Sequence, residues 1–99
     1  MSEKYIKPSR NIASRMLAGE MFVMLVKDSR VLSLNATASA IVNAADGSTP
    51  LREIVARRVV DEFEVDAEEA YQDALALVES LAQEGILLLA DHPIEQESV

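Results

Sequence analysis

The chain has 99 residues, 49% of them hydrophobic, and sets nine Lys and Arg against seventeen Asp and Glu for a formal charge of −8. That length and apolar fraction specify one small domain with a single core and exclude a disordered polyanion. The absence of cysteine excludes disulfides, thiolate metal sites and cysteine nucleophiles, no apolar run approaches the ~20 residues of a membrane span, and the charged first eleven residues lack a secretory signal, so the expectation is a cytoplasmic protein with no membrane partner.

Residues 12–34 are rich in apolar and β-branched side chains, lack helical spacing and are cut by turn residues, which predicts three strands. The first covers 12–17, and Gly19 allows the reversal that follows it. The second, 21–26, is apolar throughout and predicts a central strand covered on both faces. Lys27-Asp28-Ser29 supplies the next turn. The third strand, 30–34, sends Leu32 and Leu34 one way and Val31 and Ser33 the other.

From Asn35 the period changes to that of helices. An alanine-rich helix covers 35–45, capped by Asn35 and ended at Asp46-Gly47. Thr49-Pro50 opens a second helix, with threonine as cap and Leu51, Ile54, Val55, Val59 and Phe63 on its buried face. A third covers 66–84, with Asp66 and Glu69 in a capping-box arrangement and Gly85 as its stop. Residues 86–89 then return in extended form, and 91–99 read as a flexible acidic tail. Strands followed by helices predict an α+β fold. The same order describes a winged helix-turn-helix with its wing first, which raises a DNA-binding transcriptional regulator as the alternative.

Charge placement argues against that alternative. Residues 1–58 hold all nine basic side chains beside five acidic ones, a net of +4; residues 59–99 hold twelve acids and no base, a net of −12. A third helix bearing six carboxylates and no cation has nothing to neutralise phosphates, so no nucleic-acid partner is expected. Catalysis finds no better footing: the lone His92 lies in the tail beside Pro93, and neither a metal cluster nor a nucleophile-base pair can form around it. Glu69 and Asp73 share a helix face, where they read as solvated charges.

The apolar arc of the third helix, from Ala67 to Ala82, spans roughly 160°, wider than the ~100° stripe needed to cover one core. Leu75 and Ala82 lie toward one margin and Leu77 toward the other. Periodicity leaves open which margin faces the sheet edge. An open third strand beside that helix would form a groove able to accept an extended peptide by strand addition.

Several segments carry a family likeness: Val31-Leu32-Ser33-Leu34-Asn35-Ala36-Thr37-Ala38, then Ile41-Val42, Asp46-Gly47, Thr49-Pro50-Leu51-Arg52-Glu53-Ile54-Val55, Phe63-Glu64-Val65-Asp66 and Leu81-Ala82-Gln83-Glu84-Gly85-Ile86-Leu87. In order and spacing they resemble the PqqD-like family, the recognition elements that bind leader peptides of ribosomally synthesised, modified peptides. The resemblance implies a winged helix-turn-helix-like domain over 12–90, a three-stranded antiparallel sheet followed by three helices, with residues 1–11 as an N-terminal extension. It implies no catalysis, cofactor or metal. By position, the backbone of Arg30, Val31, Leu32, Ser33 and Leu34 would pair with the leader, and apolar residues among Tyr71, Leu75, Val78 and Ala82 would hold its side chains. The implied partners are a precursor peptide and a modifying enzyme, a radical SAM protein where the product is pyrroloquinoline quinone; relatives serve lasso-peptide and other pathways. An open edge also admits a second copy, so a monomer or weak homodimer is expected.

Overall fold

Two sheets and three helical segments make up the computed structural model, which describes residues 3–27 and 29–94. Strands β2 (Ile12–Leu17), β3 (Glu20–Leu25) and β4 (Arg30–Leu34) form an antiparallel meander in the order β2-β3-β4. Leu17 faces Glu20 across the first hairpin, and Ala18 and Gly19 both adopt positive φ, at 51° and 83°. Two such residues make the mirror-image turn whose twist matches that of the flanking strands. Asp28, expected in the second turn, lies outside the described residues.

The all-apolar β3 is covered on one face only. Met21, Val23 and Leu25 are buried, whereas Met24 keeps 38% of its surface in solvent and Val26, just beyond the strand, 59%. The expectation of a strand covered on both faces fails because the helices pack on a single side of the meander, and an apolar run cannot reveal how many layers it will meet.

Helix α1 (Ala36–Asn43) begins as its sequence dictates, with Asn35 Oδ1 accepting from Ala38 N–H at 2.9 Å. Its buried Ser39 closes the end of the β3-β4 ladder: the hydroxyl donates to the Leu34 carbonyl and accepts from Met21 N–H, both at 3.0 Å. After the Asp46-Gly47 loop, α2 (Leu51–Val55), a π-helical turn (Ala56–Val60) and α3 (Asp61–Phe63) run on as one helical arm. Thr49 does not cap that arm. Its hydroxyl donates instead to Asp46, whose carboxylate also accepts from Ser48 and Thr49 N–H, and these bonds, the Thr49 N–H foremost, hold its pKa below the usual aspartate value.

The wide π turn also displaces Phe63. Val59 is buried, but Phe63, four residues later and expected on the same face, is 46% exposed, since the extra residue in the turn rotates everything beyond it. Left-handed Glu64 ends the arm. Asp66 then caps α4 (Ala67–Gln83) through Glu69 N–H, without a return bond from the Glu69 side chain among the described residues.

Residues 5–8, read from sequence as part of an extension, form β1 (Tyr5–Pro8), which pairs antiparallel with β5 (Leu87–Ala90). Four residues ending in Pro8 show no more than one alternation, too little to register as a strand, yet Ile6 is fully buried. The Ile6 carbonyl accepts from Gly47 N–H, and that of Lys4 from Leu51 N–H. The expected tail is likewise held at its start, since Ile94 N–H donates to the Gly47 carbonyl at 2.8 Å; residues 95–99 lie outside the described set.

Candidate functional site

The site follows from how the meander is hydrogen-bonded. Val26 N–H donates to the Asn11 carbonyl on the β2 side, so by alternation Phe22 and Met24 also address β2, while Met21, Val23 and Leu25 address β4. The partners of those last three are Leu34, Leu32 and Arg30. The main-chain groups of Val31 and Ser33 therefore point away from the sheet. Among the described residues no strand pairs with them, so the rim offers two donors and two acceptors to an incoming strand.

Side chains alternate across the same ribbon. Leu32 and Leu34 lean toward the core, and Val31 (61% exposed) and Ser33 occupy the outer face, where Ser33 donates to Glu20.

Opposite the rim lies α4. Arg30, at the start of β4, reaches Glu84 just past the end of α4 at 2.6 Å, which brings the end of the helix to the start of the strand. An exposed pair of this kind contributes between ~0 and ~1 kcal/mol, so it marks the geometry more than it secures it. Past Leu34, between α1 and α4, lies a cleft of about 690 Å³. Thr37, Ala38 and Ile41 of α1 form one wall, Ala70, Ala74 and Leu77 of α4 the other, and Val59, Phe63 and Val65 the far end. Phe63 and Val65 each keep nearly half their surface in solvent, giving the mouth an apolar lip. Asp66, Glu69 and Asp73 stand along the α4 side.

The α4 residues that the family likeness implies, Tyr71, Leu75, Val78 and Ala82, do not line this cleft. Val78 is fully buried in the core, and Tyr71, 7% exposed, lies beneath the Arg52 guanidinium, 4.0 Å from its ring centroid. Leu75 and Ala82 occupy the margin opposite Leu77, which is the margin lining the cleft. Periodicity shows an arc with two margins; the path of α1 puts Leu77 on the cleft. Ala70, Ala74 and Phe63 gave no signal, since small helix residues read as packing and Phe63 as core.

Elsewhere the surface is poor in reactive groups. Among the described residues no three His, Cys, Asp or Glu side chains gather to hold a metal, and no buried side-chain polar atom lacks a partner. Among the described residues no helix is long and apolar enough to cross a membrane.

Comparison with known proteins supplies the family. The sequence profile of Coenzyme PQQ synthesis protein D (PqqD) matches residues 20–87. No curated protein sequence gives a significant match. Among solved structures, TbiB1 in complex with the TbiA(beta) leader peptide superposes with a TM-score of 0.74 at 22% identity, covering 82% of this chain and 93% of its own. Lasso peptide synthetase B1 complexed with its leader peptide gives 0.68 at 23% identity, with coverage of 84% and 96%. At these identities the likeness is one of fold.

Proposed function

The chain belongs to the PqqD family, and from that premise we propose that it is a non-catalytic recognition protein that captures the leader of a ribosomally made precursor by strand addition and presents it to a separate modifying enzyme. The observation that carries this reading is the unpaired rim of Val31 and Ser33 beside the cleft. Both structural neighbours, with the same fold, hold leader peptides.

The bound segment forms main-chain bonds with Val31 and Ser33, rests on the half-buried Leu32, and sends side chains toward Ala70, Ala74 and Leu77. Two to four such bonds with two or three seated side chains support micromolar affinity, ~8 kcal/mol. In this reading the modifying enzyme is a radical SAM protein or a functional equivalent, and the recognition protein acts in the cytoplasm as a monomer or weak homodimer. The DNA-binding alternative has no support in α4, where Glu68, Asp73 and Glu79 are exposed and no Lys or Arg is present.

The test is a titration of isotope-labelled protein with peptides recovered from a displayed random library. Amide shifts centred on residues 30–34 and on Leu77 support the reading. Shifts confined to α2 and to residues 91–94 refute it.

A further inference from the structure

Resting on that reading, we infer that the cleft beyond β4 selects a leader segment in which an apolar side chain is preceded, on its N-terminal side, by Lys or Arg. The cleft fixes the apolar part. Ile41, Val59, Ala74 and Leu77 line it and Phe63 lips it, which suits one aliphatic or aromatic side chain.

Direction follows from the strand. β4 runs from Arg30 to Leu34 and the cleft opens past Leu34, at Asn35 and Thr37. Antiparallel addition is the more stable pairing per residue, so the guest enters the cleft with the part N-terminal to its paired stretch.

Charge is the third constraint. The carboxylates of α4 differ in what they face. Glu68 has Arg52 at 3.4 Å and Glu84 has Arg30 at 2.6 Å, whereas Glu69 and Asp73, which line the cleft, have no cationic partner among the described residues. The Asp66 carboxylate accepts from the Glu69 N–H. Among the described residues no Lys or Arg lines the cleft. A guest cation therefore meets two unneutralised carboxylates, and a guest carboxylate is repelled by them. The chain's own C-terminal residues, with Glu95 and Glu97, have the wrong charge for this place.

The test presents a displayed library of random peptides to the parent protein and to Asp73→Lys, a substitution at an exposed position that leaves the core intact. With the parent at low salt, recovered peptides should carry Lys or Arg within three positions before their first large apolar residue, and replacing that cation by Glu should weaken binding about threefold to tenfold, less at physiological salt. Asp73→Lys should shift recovery toward Asp and Glu at the same positions. Peptides that move the Val31 and Ser33 amides yet show no basic preference overturn this inference and leave strand addition standing. Peptides that leave those amides unmoved overturn both. Cleft shifts that follow protein concentration instead of added peptide assign the cleft to a second copy and overturn the inference as well.

Discussion

Proline substitution along β4 separates the rim from the sheet with a single atom type. At Val31 the N–H points outward, so Val31→Pro removes a donor that no described strand uses, and its ring occupies open space at an edge, where proline is tolerated. Arg30, the preceding residue, is already in a strand, the conformation that a following proline requires. The cost to folding should stay below about 1 kcal/mol, less than about 4–8 °C in Tm for a domain of this size.

The cost to binding is larger. One guest carbonyl then faces a ring in place of a donor and is desolvated without a partner, at about 1–3 kcal/mol. With ~1.4 kcal/mol per tenfold, that is a loss of about fivefold to more than a hundredfold in affinity. Leu32→Pro provides the contrast. Its N–H addresses Val23 across the ladder, so it should cost about 1–3 kcal/mol of stability for the lost ladder bond alone and weaken binding along with the fold. Fluorescence anisotropy with a library-selected peptide, beside thermal unfolding followed by circular dichroism, reads both quantities. Parent-like affinity in a folded Val31→Pro protein would show that the guest does not bond to this rim. Equal destabilisation by the two prolines would show that the outward direction of the Val31 N–H is wrong.

Three further outcomes follow from the packing. Ser39→Ala strands the Met21 N–H and the Leu34 carbonyl inside the protein and should cost about 1–3 kcal/mol in denaturant unfolding. Gly47→Ala should destabilise more than Gly19→Ala: both glycines have positive φ, but a Cβ at Gly47 would sit 2.6 Å from the Ile94 carbonyl oxygen, whereas Gly19 has open space. Asp46 has a depressed folded-state pKa, so its contribution to stability is complete above the ordinary aspartate pKa and lost as pH falls through the folded value. Asp46→Asn should accordingly be less stable than the parent at neutral pH and lose less stability on acidification, as measured by unfolding at a series of pH values.

The meander, α1 and α4 were legible because each carries its own local signal: period-two alternation in β4, the Asn35 and Asp66 caps, and the glycines at 19 and 85. β1 was invisible since its stability comes from a partner eighty residues away, Leu87–Ala90, and four residues contain no pattern of their own. The open edge of β4 could be read from its position at the end of a meander. Which α4 side chains line the cleft could not. Choosing between Leu77 and Leu75 requires knowing where α1 passes, and placing Phe63 requires the π turn at Ala56–Val60, which is a tertiary compromise that helical periodicity cannot express.

The bare outer face of the meander has a consequence for whatever lies along β4. Because side chains alternate, a fourth strand would turn every second residue away from α4, into the row that holds Met24 and Val31. The guest would be gripped along one side and exhibited along the other, legible to a third molecule while still in the grasp of the first.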